Sequence, residues 1–214
     1  DGPDADYTPL SDDLPWCLIP EKKITVEDVK YVLSSHYQGT PYDPYLSYGD
    51  KSMKGAYRSI GVNRTDFLSV IQMRADHEDD SRAIEWVAFC SNVRKALSLA
   101  IDRDYVANTD KNVSTDNFYW TSRLIAAMAD ASYKSSLFHV ERYQGHVMAK
   151  SHALIAKYDA KLAQTADKAK RLVIKHEANE AIAQMAKEEA LATLEKVLSE
   201  LTNQMKNAYS RSDA

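Results

Sequence analysis

The spacing of apolar residues changes along the chain, and the residues that break helices are confined to its first part. All six prolines lie at or before Pro44, and five of the six glycines lie at or before Gly61. We therefore expect the first sixty residues to be irregular and rich in turns, and the last seventy to be almost continuous helix. Within the irregular part, Thr25 is placed to cap a short helix, with Asp28 reaching back to it. The predicted apolar face of this helix consists of Val29, Val32 and Leu33.

Two runs of β-branched and other apolar residues predict strands over residues 67–73 and 84–89. The polar segment His77–Ser81 between them has the length of a hairpin connection. A further short strand over residues 58–62 is predicted to pair with the first strand across residues 63–66. Together the three strands would form a small antiparallel meander.

Apolar residues recur at helical spacing in the second half of the chain. Ser114 or Thr115 is predicted to cap a helix, and after Gly145 the sequence predicts one long helix or a helix pair. The apolar stripe of the first of these helices consists of Trp120, Leu124, Ile125 and Met128. A second stripe, near the end of the chain, consists of Leu191, Leu194, Leu198, Leu201 and Met205. We expect it to pack on a helix of the same domain, the alternative being a helix of a partner.

Composition indicates a folded, soluble protein. Of the 214 residues, 44% are hydrophobic and 27% are charged, which argues against disorder. No apolar run approaches eighteen residues, so no contact with a membrane is expected, and the net charge of −4 argues against a nucleic acid as a partner. The two cysteines, Cys17 and Cys90, are too few for a disulfide scaffold. They are expected to be reduced, partly buried thiols of a cytoplasmic protein.

The residues themselves show no self-sufficient active site. His139 and His146 could share a helical face, but no third ligand accompanies them, so neither a metal nor another cofactor is expected. Cys90 follows an apolar strand, where a thiol is usually inert. The segment His77–Asp80 could bind a cation, although a charged hairpin tip is usually solvated. Six of the thirteen tyrosines lie in residues 31–57, where they form either a ligand surface or the ordinary packing of a long loop.

Several segments resemble one known family of enzymes. The run His36–Tyr45 reads HYQGTPYDPY and resembles the H-Y-x-G-T-P-[YF]-D-P-Y segment of the PepD-type cysteine dipeptidases, which belong to the N-terminal-nucleophile hydrolase superfamily. The resemblance continues in the family's order over residues 57–64, 67–74, 85–89, 113–120 and 206–214. It therefore covers nearly the whole chain.

The resemblance implies an α+β fold and a peptidase activity. The implied fold is the αββα sandwich of the superfamily, in which two antiparallel sheets lie between helical layers. Residues 1–110 would be the C-terminal part of this core, and residues 111–214 a long helical region that completes and flanks it. The implied activity is the hydrolysis of dipeptides by a cysteine at the start of the mature chain. Its α-amino group would act as the general base, and water would release the acyl-enzyme.

The chain departs from this family at its first residue. Asp1 cannot be the nucleophile, and neither Cys17 nor Cys90 is N-terminal. The matching segments all correspond to the later part of the family's sequence. We therefore expect this polypeptide to be the C-terminal portion of the enzyme, with no catalytic residue of its own. It would be inactive without the missing N-terminal portion of the same enzyme.

The resemblance and the chemistry of a dipeptide together predict four substrate-binding residues. Thr40 and Asp43 are expected to border the substrate cleft, with Asn63 and Arg64 as further candidates. A free dipeptide carries an ammonium and a carboxylate, for which an aspartate and an arginine are natural partners. The alternative is that Asp43 caps a turn before Pro44 and that Arg64 lies in water on a hairpin tip.

Two other functions remain open. The chain could be a non-catalytic scaffold whose terminal helices form an oligomer interface, or it could belong to a hydrolase of another amide in the same superfamily. A homo-oligomer is also expected.

Overall fold

A computed structural model describes residues 6–8, 10–46, 48–62, 67–89, 97–99 and 112–205. The chain divides into two compact units, residues 1–62 and residues 63–214. The domain boundary predicted between residues 110 and 111 lies outside the described residues and stays a prediction. The described part combines helices with a small antiparallel sheet, which confirms the α+β class.

The first unit contains one helix, α1 (Val26–Leu33), among its described residues. Thr25 and Asp28 form the predicted capping box: the Thr25 side chain accepts the Asp28 N–H, and the Asp28 carboxylate accepts the Thr25 N–H at 2.8 Å. The predicted apolar face is wrong in part, because Val32 is exposed and the buried residue is Val26. A helix of eight residues has only two turns, so a single buried position can anchor it.

The second unit begins with an antiparallel sheet of strands β1 (Phe67–Met73), β2 (Ala83–Phe89) and β3 (Leu97–Leu99). The strand order is β1-β2-β3, and β1 and β2 pair over their whole length. These are the two strands of the predicted hairpin. The Trp86 ring on β2 lies 4.9 Å from the His152 ring, so the sheet packs on the helices through this face.

Three helices complete the described part of the second unit: α2 (Phe118–Ala131), α3 (Tyr133–Ala163) and α4 (Lys168–Asn203). Helices α3 and α4 form an antiparallel pair, on which α2 packs. Their common core consists of Ile125, Ala129, Val140, Tyr143, Val147, Ala190 and Val197. The second half of the chain is therefore helical and packs within its own unit, as predicted.

Three details of the predicted elements are wrong. Residues 58–62 form no strand, because Gly61 instead donates its N–H to the Ser35 carbonyl at 2.7 Å. Helix α2 is capped by Asn117, whose side chain accepts the Tyr119 N–H, and not by Ser114 or Thr115. The long helix does not begin after Gly145: α3 starts twelve residues earlier and runs through it.

The stripe predicted near the end of the chain does not coincide with the buried face of α4. The buried residues of this helix include Ala186, Ala190, Thr193 and Val197. Of the predicted stripe, Leu194 packs against the core, whereas Leu198 and Met205 are exposed. Small side chains allow close approach of neighbouring helices, so a stripe of large residues alone does not identify the contact face.

The tip of the β1–β2 hairpin is held to the helices by arginines. Arg171 at the start of α4 is only 5% exposed and binds Asp80 through Nε at 3.0 Å and Nη2 at 2.6 Å. Its Nη1 donates to the carbonyls of Leu162 and Thr165, and Glu78 lies 2.9 Å from Nη2. The acidic hairpin tip is therefore not a freely solvated loop, because Asp80 and Glu78 bind Arg171.

Candidate functional site

The loop that follows α1 carries the two predicted site residues that the structure describes. It begins where the Ser34 hydroxyl donates to the Lys30 carbonyl at 2.7 Å and ends the helix. The loop returns to the end of α1 at Gly61, whose N–H donates to the Ser35 carbonyl at 2.7 Å. A Cβ at Gly61 would lie 2.6 Å from the carbonyl carbon and oxygen of Ser34, so this close approach requires glycine.

Tyr37 has a left-handed backbone within this loop, with φ of 61°. This conformation costs a residue with a Cβ about 1–2 kcal/mol. Thr40 holds it, because both the Thr40 N–H (3.0 Å) and the Thr40 hydroxyl (2.7 Å) donate to the Tyr37 carbonyl. Gly39 adopts a positive φ at no such cost and completes the turn.

Asp43 is 7% exposed and organises the next turn. Its carboxylate Oδ1 accepts the Tyr45 N–H at 2.9 Å, across Pro44. Its own N–H donates to the Thr40 carbonyl at 3.2 Å. The structure thus brings Thr40 and Asp43 together, and it gives Asp43 the turn contact of the alternative interpretation. One carboxylate oxygen accepts a single hydrogen bond, so the group retains acceptor capacity for a ligand.

Three aromatic residues of the same loop form a tyrosine cluster, which consists of Tyr37, Tyr42 and Tyr57. The Tyr42 and Tyr57 rings lie 5.0 Å apart, and the Tyr37 ring lies 6.3 Å from each of them. All three residues are half-buried. Their hydroxyls have no hydrogen-bond partner within the described part of the chain. Gly55 fixes the loop beneath Tyr42 by donating its N–H to the Tyr42 carbonyl at 3.1 Å.

The remaining candidates fall elsewhere. Asn63 and Arg64 lie outside the described residues, as does Cys90. Cys17 is a free thiol but is exposed, which corrects the expectation that it is partly buried. No hydrogen bond joins its thiol to the other described residues.

The two histidines considered as a metal pair bind separate glutamates of α4. His139 Nε2 lies 3.2 Å from Glu200 Oε1, and His146 Nδ1 lies 3.6 Å from Glu189 Oε2. Glu189 also accepts a hydrogen bond from Lys150, which lowers the pKa of its carboxyl below the ordinary value. Across the described residues, no three His, Cys, Asp or Glu side chains converge as they would around a metal ion.

A strong electrostatic perturbation of a carboxyl group lies at the hairpin tip of the second unit. Hydrogen bonds from Arg171 hold the pKa of Asp80 far below its usual range, and Lys175 acts in the same direction from 3.2 Å. A second contact joins β1 to α3, where Arg74 and His77 both lie against Asp159, at 2.5 Å and 3.3 Å. Residue spacing alone did not reveal these pairs, because their members are more than eighty positions apart.

Within the described part of the chain, no helix combines the length and the hydropathy needed to cross a membrane. The family model for peptidase family C69 matches residues 2–146. This match includes the loop after α1, the sheet and the first half of α3.

Curated relatives extend the match to almost the whole chain. A dipeptidase of Bifidobacterium longum (strain NCC 2705) is 46% identical over 169 residues, which are 77% of this chain and 32% of that protein. The "Probable dipeptidase A" of Streptococcus pyogenes serotype M18 (strain MGAS8232) is 41% identical over 217 residues, covering 99% of this chain and 45% of that protein. The "Probable dipeptidase B" of Lactococcus lactis subsp. lactis (strain IL1403) is 32% identical over 183 residues, covering 83% of this chain and 38% of that protein.

The chain spans between a third and a half of the length of these relatives. Identity of 41% over 99% of the chain, together with the family match, agrees with the segments recognised in the sequence. The chain belongs to peptidase family C69.

Proposed function

We propose that this chain is the C-terminal portion of a cysteine dipeptidase, whose nucleophile lies in a part of the enzyme that the chain does not contain. The observation that carries the proposal is the 41% identity to the "Probable dipeptidase A" across 99% of this chain, which corresponds to 45% of that protein. The proposed fold of the whole enzyme is the αββα sandwich of the N-terminal-nucleophile hydrolases. The proposed partners are the N-terminal portion and a second copy of the enzyme, in the cytoplasm.

The proposed reaction uses a thiolate and an amine that are both supplied by the N-terminal cysteine. The α-amino group takes the thiol proton, and the sulfur forms a bond to the carbonyl carbon of the dipeptide. The C–N bond then breaks, and the leaving amine takes the proton from the α-ammonium group. Water next attacks the thioester and gives one proton to the α-amino group. The C–S bond breaks, the second product leaves as a carboxylic acid, and the sulfur takes the proton from the α-ammonium group, which regenerates the cysteine. An α-amine suits this role because its ordinary pKa is about 8.

The described residues would contribute substrate binding to this reaction. We propose that Asp43 binds the ammonium group of the dipeptide and that Thr40 borders the cleft beside it. Arg64 is the proposed partner of the dipeptide carboxylate, and Asn63 is a further contact. Asp43 suits its role because it is nearly buried and held by one backbone N–H, so its charge is oriented before the substrate binds.

The charge of Asp43 can be tested apart from its role in the turn. In the full-length enzyme, Asp43→Asn retains a side-chain oxygen that can accept the Tyr45 N–H but removes the negative charge. We expect kcat/KM for dipeptides to fall roughly tenfold or more, since a charge-assisted hydrogen bond contributes about 1.5–3 kcal/mol. Thermal unfolding should be unchanged.

Asp43→Ala and Arg64→Ala complete the set of variants. Asp43→Ala removes both the charge and the turn contact, so we expect it to lower the unfolding temperature as well as the activity. If kcat/KM stays within about twofold for both Asp43→Asn and Arg64→Ala, the assignment of these residues to the substrate site is wrong. Turnover of tripeptides or acylated amines in preference to dipeptides would instead favour another amide hydrolase.

A further inference from the structure

The tyrosine cluster is the feature of the first unit that the proposed reaction leaves unused. We propose that it binds the side chain of the first residue of the dipeptide and favours an aromatic side chain there. This inference rests on the proposed dipeptidase function, which it deepens by assigning a specificity site. Its occupant is the aromatic or large apolar side chain of the substrate.

The geometry of the rings suits an aromatic ligand. Tyr42 packs edge-to-face against Tyr57, with 61° between the ring planes, and the Tyr37 ring meets Tyr42 at 67°. A further aromatic ring can join such a cluster in the same arrangement, because the edge of one ring is attracted to the face of the next. The rings are half-buried, so part of each remains open to a ligand.

The backbone of Tyr37 gives an independent reason to place a ligand site at the tyrosine cluster. Its left-handed conformation is unfavourable for a tyrosine, and Thr40 holds it with two hydrogen bonds to the Tyr37 carbonyl. Strained conformations of this kind are retained at ligand-binding sites, where the exact position of a side chain matters more than local stability. Glycine would adopt this backbone without strain but would not supply a ring.

The position of the cluster indicates which residue of the dipeptide it contacts. Tyr42 directly precedes Asp43, the proposed partner of the substrate ammonium group. In a dipeptide the ammonium group and the first side chain are attached to the same carbon atom. A cluster that includes Tyr42 is therefore placed to contact the first side chain when Asp43 binds the ammonium group.

The test compares three dipeptides, Phe-Ala, Ala-Ala and Ala-Phe, in the full-length enzyme. In Tyr57→Leu, we expect the ratio of kcat/KM for Phe-Ala to that for Ala-Ala to fall roughly three- to tenfold, mainly through KM. The ratio for Ala-Phe to Ala-Ala should stay within twofold. The matched control is Tyr48→Leu, which removes an exposed tyrosine of the same loop outside the cluster and should leave both ratios unchanged.

A second variant separates substrate binding from packing. Tyr37→Gly removes a ring of the cluster while it relieves the strained backbone. We expect the preference for Phe-Ala to fall while the unfolding temperature is unchanged or higher. If the cluster only packs the loop, Tyr37→Gly will lower the unfolding temperature and reduce turnover of all three dipeptides equally.

Three results would overturn the inference: unchanged ratios in Tyr57→Leu, an equal loss for all three dipeptides, or a loss confined to Ala-Phe. A wild-type enzyme that hydrolyses none of the dipeptides would overturn the proposed function, and this inference with it. Failure of this inference can be distinguished from failure of the proposed function, because the wild-type enzyme then still hydrolyses dipeptides.

Discussion

At the scale of single residues, the loop after α1 depends on a few backbone contacts that tolerate little change. Thr40 and Asp43 hold two successive turns through hydrogen bonds within the nine residues 37–45. Gly61 closes the loop by packing its backbone directly on Ser34. Because these contacts set the positions of Asp43 and of the tyrosine cluster, a change at the base of the loop should disturb the candidate site.

Gly61→Ala should destabilise the first unit. The added Cβ would lie 2.6 Å from the Ser34 backbone, which cannot move aside as a flexible side chain would. We expect a loss of about 1–3 kcal/mol, the range found when atoms are forced into a packed site. Urea unfolding followed by tyrosine circular dichroism measures this loss. An unfolding midpoint equal to that of the wild type would contradict the close approach.

Asp80→Asn should lower stability in a pH-dependent way. The pKa of Asp80 is held below its ordinary value in the folded protein, so its ionised form stabilises the fold at pH values above the unfolded pKa of about 4. This stabilisation is lost as the pH falls toward the folded pKa. The unfolding temperatures of the variant and the wild type should therefore differ at pH 7, and the difference should shrink progressively as the pH falls below about 4.

The matched control is Asp79→Asn, at the neighbouring position of the hairpin tip. Asp79 is almost fully exposed and pairs with Arg82, which is itself exposed. Exposed pairs of this kind contribute little to stability. A difference for Asp80→Asn that does not shrink at all between pH 4 and pH 2 would show that the ion pair with Arg171 is not its cause.

At the scale of elements, the second unit is organised by the pair of long helices α3 and α4. Their contact face uses small residues such as Ala186 and Ala190, which let the helix axes approach. The hairpin of β1 and β2 is joined to both helices by ion pairs, Arg74 with Asp159 and Asp80 with Arg171. Both pairs lie in the connection between the two strands, so together they hold this end of the hairpin against the helices.

Gly145→Ala should stabilise α3. Gly145 lies in the interior of the helix, and a Cβ there would meet no atom within 4 Å. Glycine costs a helix interior about 0.5–1 kcal/mol relative to alanine, so we expect a gain of this size. Thermal unfolding should shift upward by about 2–4 °C per kcal/mol. A lower unfolding temperature would mean that glycine is required at this position.

At the scale of the whole molecule, the chain has a helical unit with a core of its own, and the proposed reaction needs an N-terminal cysteine as its nucleophile. The first unit of the chain carries the proposed substrate-binding residues. The chain corresponds to less than half of the length of these relatives. Under the proposed function, the complete active site forms in the full-length enzyme.

The chain alone should therefore hydrolyse no dipeptide above the uncatalysed rate, whereas the full-length enzyme should be active. Amino acid release from a panel of dipeptides measures both, and intact mass spectrometry shows whether a second polypeptide beginning with cysteine is present. Replacement of that cysteine by alanine in the full-length enzyme serves as the control and should abolish turnover. Activity of the purified chain by itself would contradict the proposed location of the nucleophile.

The amino-acid sequence by itself determined the local elements and the family. The capping box of Thr25 and Asp28, the strands β1 and β2 and the helical second half follow from patterns within a few residues, because caps, alternation and helical periodicity are local. The family followed from segments such as His36–Tyr45, whose residue identities and order along the chain are specific to that family.

Only the tertiary structure decided which distant residues meet. It showed that Gly61 packs on Ser34 in place of a strand, that the acidic hairpin tip binds Arg171, and that α4 is buried along small residues. It also revealed the strained backbone of Tyr37 within the tyrosine cluster. The physical reason is that backbone strain, ion pairing and close packing depend on distances in space, which the spacing of residues along a chain does not specify.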